Sequence, residues 1–205
     1  MSGLDDLMAD SDDRWAKAER YARGYADHVM GEALRIYYTR YFPLGVAVYA
    51  GVIILVGPLI FREKPTDWQL IAQGGVSSFA LLAAVAGLVY NAKRLRPQVS
   101  LASDLAIVFP LDKQEQKYVK RVVNGKEPMP EDPAHLLVAR SVAVQTRKNL
   151  ATQLLIFPVY SYCLVYLLGD LSVFWVILTI LFAVAVILLI REFRRTGHFL
   201  TSTAT

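Results

Sequence analysis

The chain has 205 residues, 55% of them apolar and 20% charged, and its mean hydropathy is +0.35, a balance that excludes an ordinary soluble domain and fits a chain living largely in lipid. Its formal charge of +4 does not make a nucleic-acid binder, because the basic residues sit beside apolar runs, where they read as topology signals. A single cysteine, Cys163, excludes an intrachain disulfide and any CxxC site, and reads as a small packing residue.

The first segment, residues 1–40, opens with Asp5, Asp6, Asp10, Asp12 and Asp13 and has no apolar run before Leu44. That order is the reverse of a secretory signal, so this segment is expected to remain in the mature chain. Ser11 with Asp12 and Asp13 reads as a helix start, after which Trp15, Ala18, Ala22, Tyr25, Val29, Ala33 and Ile36 recur at helical spacing. The opposite face carries Arg14, Lys17, Arg20, Arg23, Asp27 and Glu32. An amphipathic helix leading into the first span is predicted, docked on the polar middle of the chain, since mixed charge and many alanines make a poor lipid anchor.

Residues 41–92 are predicted to form a transmembrane hairpin. A hydrocarbon core of about 30 Å takes about 20 apolar residues as helix, and Leu44 to Phe61 and Gln69 to Tyr90 supply two such runs. The link from Arg62 to Trp68 is long enough only for a turn. Small residues four apart mark a helix-packing face: Ala47 and Gly51 in span one, then Gly74 and Ser78, Ala80 and Ala84, and Ala83 and Gly87 in span two. Tyr37, Tyr38, Tyr41, Trp68 and Trp175 fit aromatic belts at the interfaces.

Residues 93–148 form the predicted cytoplasmic linker. Asp112 and Glu115 make a capping pair ahead of the apolar positions Tyr118, Val119, Val122 and Val123, and Asn124-Gly125 stops that helix. After a turn rich in Pro128, Pro130 and Pro133, Asp132-Pro133 reads as N-cap and first position of a helix running through Arg140 and Lys148 into span three. This helix-turn-helix is too small for a catalytic domain. Its tether and the acidic turn of Glu127, Glu131 and Asp132 argue against DNA as a partner.

Residues 149–191 form the second predicted hairpin. The run from Ala151 to Ile190 carries one charge, Asp170, and as a single helix would be about 60 Å long, twice the hydrocarbon thickness. It must therefore fold back, with Gly169 ending one helix and Asp170 capping the next, span four from Val173 to Ile190. A basic tail, 192–205, follows. Of the 22 Lys and Arg residues only Arg62 and Lys64 fall in a predicted outer loop, while Lys93, Arg94 and Arg96 follow span two and Arg191, Arg194 and Arg195 follow span four. Both termini are thus expected in the cytoplasm, with the spans in the inner (plasma) membrane. Thr39-Arg40 before span one and Thr146-Arg147 before span three hint at a parallel duplication of the hairpin.

The stretch from Leu111 to Arg140, a capped basic helix, then Asn-Gly-Lys-Glu-Pro-Met-Pro, then an Ala/Val/Leu helix feeding a span, resembles small four-span membrane proteins of actinobacteria, most of them uncharacterised. The resemblance covers about thirty residues plus the topology and carries over no catalytic or ligand residue. Because some small membrane proteins of such organisms are accessory subunits of large assemblies, respiratory supercomplexes included, it implies a partner-bound role.

The expected fold is all-α: a polytopic membrane protein of four transmembrane helices in two hairpins, with an amphipathic N-terminal helix and a cytoplasmic helical hairpin between spans two and three. The span interiors hold no Lys, Arg, His, Asp or Glu, which pumps, ion-coupled carriers and charge-sensing helices need. His28, His135 and His198 fall outside the spans as solvated residues without metal-ligand spacing, so no haem, metal or other cofactor is expected. Nor does any catalytic constellation occur. The expected function is an accessory or scaffold subunit of a larger membrane complex. The alternative is an oligomeric channel or transporter with Gln73, Ser77 and Ser78 along a polar path. Further expected partners are a second copy of the chain and membrane lipids, with Arg94, Arg96, Arg194 and Arg195 as headgroup candidates.

Overall fold

In the computed structural model the described residues are 2–24, 27, 30–60, 68–95, 107–160 and 173–203. Among them there is no strand. The elements are α1 (Ser2–Ala22), α2 (Met30–Ile36), a π turn (Tyr37–Tyr41), α3 (Phe42–Ile60), α4 (Trp68–Tyr90), a second π turn (Asn91–Leu95), α5 (Lys113–Val123), α6 (Pro133–Ile156), a 3₁₀ turn (Phe157–Tyr160) and α7 (Val173–Ser202). Among the described residues three helical stretches are long and apolar enough to cross a membrane: Met30–Val56, Gly74–Leu95 and Val173–Ser202. The expected turns at Arg62 to Trp68 and at Gly169-Asp170, most of span three beyond Tyr160, and Arg96 lie outside the described residues, apart from Trp68, which opens α4.

The chain divides into two compact units. A polar unit gathers Met1–His28, Arg96–Leu150 and Arg191–Thr205, and an apolar unit gathers Val29–Leu95 and Ala151–Ile190. The five sequence segments expected above therefore assort into two bodies, each assembled from separated stretches.

In the polar unit the local signals of the middle segment are realised. Asp112 caps α5, with the backbone N–H of Asp112 donating to Glu115 at 2.7 Å to close the capping box. The helix stops at Gly125, whose φ of +58° is left-handed; Lys126 N–H donates to the Arg121 carbonyl and Gly125 N–H to that of Val122, both at 2.8 Å, satisfying carbonyls the helix leaves open. Asp132 accepts from the Ala134 amide at 2.9 Å and starts α6 with Pro133 in its first position. Between α5, α6, α1 and the end of α7 lies a core of Ala18, Ala22, Ile107, Leu111, Val119, Val122, Val138, Ala139, Val142, Ala143 and Phe199. Each fully buried valine there contributes roughly 1.5–3 kcal/mol.

The N-terminal expectation needs correcting in three places. The helix does not run from Ser11 to Ile36: α1 already includes Ser11, ends at Ala22, and is followed by Gly24 at φ 89°, with Ser141 Oγ donating to the Ala22 carbonyl at 2.8 Å. A fresh helix opens at Met30 and continues into span one. Ser11 is not a cap. It donates to Glu115 Oε1 at 2.9 Å, while Arg14 reaches both Glu115 oxygens, Nη2 to Oε1 at 3.1 Å and Nε to Oε2 at 3.2 Å. Finally, His135 is no free surface group, since its ring lies 3.7 Å from that of Trp15.

Burial pushes the Glu115 carboxyl up, but the hydrogen bonds from Arg14, the Asp112 amide and Ser11, with the Arg14 charge, outweigh burial and hold it below its ordinary 4.5. A carboxyl depressed on folding adds stability that is complete above about pH 4.5 and is lost as pH falls through the lower folded value. In a chain with Trp68 and Trp175 replaced by phenylalanine, Trp15 emission is expected to hold its wavelength at neutral pH and to shift red below about pH 4.5 as α1 loosens. Glu115→Gln should flatten that dependence; an acid shift unchanged in Glu115→Gln would remove Glu115 as its cause.

In the apolar unit two prolines set the backbone. Pro43 has no N–H for the Thr39 carbonyl and crowds it, and the preceding turn widens so that Phe42 N–H donates to the Tyr37 carbonyl. Pro158 likewise withholds a donor from the Leu154 carbonyl, which accepts instead from the Tyr38 hydroxyl. Tyr37, Tyr49 and Tyr90 donate to the carbonyls of Ala83 at 3.3 Å, Gly75 at 2.7 Å and Ala33 at 2.8 Å. These partners descend along α4 as they ascend from α2 to α3, so the two stretches run antiparallel. Of the tyrosines expected as an interfacial belt, Tyr37 and Tyr38 thus serve first as polar glue between helices, and Tyr37 is buried.

Candidate functional site

Three places combine geometry with chemistry. In the polar unit Arg147, on α6, forms an ion pair with Asp27, stacks its guanidinium 4.7 Å from the Phe193 ring centroid, and fills the space beside Gly197, where an added Cβ would lie 3.1 Å from Arg147 Cζ. The side chains of Arg147 and Asp27 are 17% and 9% exposed, which makes this a buried charge pair whose value depends on its partners staying in place. Arg147 Nε has no hydrogen-bond partner among the described residues. Sequence reading noted Arg147 only within a repeat and set Asp27 on a solvated face. A separation of 120 residues leaves no local signal for the pair.

Also in the polar unit, a half-open cleft of about 270 Å³ is lined by buried Val122, Val123 and Phe199, with exposed Met129 and the polar Glu127, Arg195, His198 and Ser202 around them. Gly125 borders it, and its left-handed backbone is what turns the chain away and leaves the cleft open. Glu127 is also 3.5 Å from Arg121, a partly exposed pair worth little by itself. An apolar lining with charged groups around it suits an inserted apolar side chain of a polypeptide partner. Ser202, on the rim of the cleft, donates its hydroxyl to the Phe199 carbonyl at 2.9 Å.

The apolar unit carries the third, a groove of about 600 Å³ along α3 and α4, lined by Tyr37, Tyr41, Phe42, Leu44, Val48, Tyr49, Val52, Phe79 and Leu82 with Gly45, Ala83 and Ala86 between them. At its tyrosine end the rings of Tyr41 and Tyr90 are 5.6 Å apart and those of Tyr37 and Tyr90 5.1 Å. Beyond them Asn91, on the second π turn, donates to Thr152 Oγ1 at 3.0 Å.

The small residues singled out in the sequence divide. Ala80, Ala83, Ala84 and Gly87 are buried, and Gly87 faces the Leu155 backbone so closely that an added Cβ would overlap its carbonyl oxygen. Ala47, Gly74 and Ser78 are exposed and Gly51 half-buried; a Cβ at Gly51 or Gly74 meets nothing within 4 Å, and Ser78 donates to its own helix at Gly74, 2.8 Å away. Of the headgroup candidates, Arg94 is exposed on the second π turn, Arg194 is exposed on α7, and Arg195 lines the cleft. Ser77 is half-buried in α4, and the side chain of Gln73 lies outside the described residues.

No protein-family model, no curated protein and no solved structure matches this chain.

Proposed function

We propose that this chain is a non-catalytic, four-span protein of the plasma membrane, its spans paired in two hairpins and its polar unit and both termini in the cytoplasm, acting as an accessory or scaffold subunit of a larger membrane complex such as a respiratory assembly. The observation that carries this reading is the cleft in the polar unit, where exposed Met129 and buried Phe199 line one concavity with Arg195, His198 and Glu127. Methionine adapts to varied partner side chains and the charged rim selects among them. Support comes also from one face along the apolar part of α7, where Phe174, Ile177, Ile180, Leu181, Ile187 and Leu188 are all more than half exposed. The four-span count rests on the apolar run from Ala151 to Ile190, about twice the length one crossing needs and charged only at Asp170.

The test is gentle detergent extraction of the tagged chain at its native level, followed by mass spectrometry of what migrates with it. A fixed-ratio set of larger membrane subunits is the expected result. The double substitution Met129→Asp with Arg195→Glu should release them, lowering recovery about tenfold or more while helical content is unchanged. A homogeneous small homo-oligomer with nothing else present would instead favour a channel or transporter and lead to flux measurements.

A further inference from the structure

The groove of the apolar unit has a length, a lining and a charge distribution that together specify an occupant. From Tyr41 to Val52 it follows 12 residues, a rise of about 16 Å, which is about the depth of one leaflet of a 30 Å hydrocarbon core. Its walls are aromatic and aliphatic, with Phe79 and Leu82 of α4 facing Phe42 and Val48 of α3. The Tyr49 hydroxyl bond to the Gly75 carbonyl lies toward its deep end.

At the other end the apolar lining gives way to tyrosine hydroxyls and then to cations. Arg40 precedes Tyr41, Arg94 follows Tyr90 by one turn, and Arg94 lies within electrostatic reach of the Tyr90 hydroxyl. The ring contact of Tyr41 and Tyr90 puts backbone positions 40 and 94 at the same end of the groove, outside its lining, where the long arginine side chains are free to reach a headgroup at the mouth. Both are exposed, and neither has an ion-pair partner among the described residues. Across the described part of this unit Arg35, Arg40, Lys93 and Arg94 face a single carboxylate, Glu32, so the mouth is strongly positive.

We propose that this groove binds one acyl chain of an anionic glycerophospholipid, with the lipid phosphate held at the mouth by Arg40 and Arg94. The assignment rests on the reading of α3 and α4 as membrane spans and differs from binding by the basic tail, because Arg194 and Arg195 belong to the other unit. Each arginine near an anionic headgroup favours it electrostatically, and tyrosines at headgroup depth hold the glycerol region in register.

The full chain, purified in mild detergent and inserted into nanodiscs of mixed phosphatidylcholine and phosphatidylglycerol, is released for native mass spectrometry. One phosphatidylglycerol should be retained, enriched about tenfold over its share of the bilayer. Arg40→Gln with Arg94→Gln should abolish that enrichment. Gly45→Trp fills the groove from a position where an added Cβ meets nothing within 4 Å, and should lower retained lipid of either kind about tenfold. Retained lipid that mirrors the bilayer mixture, enrichment that survives the double arginine change, or a protein rather than lipid photo-crosslinked from Val48 would each overturn the proposal. Should Gly45→Trp not fold, the double arginine variant decides alone. A chain that does not enter the nanodiscs removes the membrane reading together with the groove, whereas entry without enrichment removes only the lipid.

Discussion

Replacing Arg147 by alanine is expected to loosen the polar unit by about 3–5 kcal/mol, seen as a roughly hundred- to several-thousand-fold loss of amide-exchange protection in α1 and α6. The cost arises from removing the guanidinium beside the Asp27 carboxylate, which is 9% exposed and so little hydrated. The stack on Phe193 and the volume beside Gly197 are lost as well. Arg147→Lys should fall between the two, since it keeps the charge but cannot lie flat on the ring. Removing both charges together, Asp27→Leu with Arg147→Met, should recover most of the protection, because an apolar pair of similar volume avoids burying ions at all. Unchanged exchange in the alanine variant would mean that the pair is already solvated.

The second large effect is expected at Gly87. An added Cβ there overlaps the Leu155 carbonyl oxygen and lies 3.0 Å from its carbonyl carbon, so nothing flexible is available to move aside. Gly87→Leu must push backbone from backbone and strain the two polar links beside it, Asn91 to Thr152 and Tyr38 to Leu154. Overpacking of this kind costs about 1–3 kcal/mol, which for a chain of this size is a drop of roughly 5–10 °C in the thermal midpoint measured in mild detergent. Gly51→Ala and Gly74→Ala are the contrast: with open space at each Cβ they should be neutral or raise the midpoint slightly, as alanine does in place of helical glycine. Equal losses at all three positions would show that helix packing at Gly87 has no special role.

These contrasts mark where sequence was informative. The start and stop of α5 and the start of α6 were legible because caps are local: Asp112 with Glu115, Asn124 with Gly125, and Asp132 with Pro133 act within four residues of one another. Long apolar runs announced the membrane-crossing helices for the same reason. Helical spacing misled in the N-terminal segment, since apolar residues continue in phase past Ala22 while Gly24 and the Ser141 hydroxyl end the helix there. Small-residue spacing named both the buried Gly87 and the exposed Gly74, because a pattern states what a helix permits and not which neighbour arrives. Asp27 and Arg147, Tyr38 and Leu154, and Ser11 and Glu115 are joined over 104 residues or more, and no spacing rule reaches that far.

The interleaved make-up of the polar unit has a consequence for synthesis. Its core takes side chains from residues on α1, α5 and α6 and then from Phe199 near the end of α7. Ribosomes add residues at about 5–20 per second, so α1 waits roughly 10 seconds or more after it emerges before the last core side chain exists. During that interval the apolar faces of Val119, Val122 and Val138 lack their final cover, and a nascent chain stalled before α7 offers them to chaperones and proteases. Arrival of Phe199 thus closes the core: only chains that have made α7 hide the surface by which shorter ones are removed.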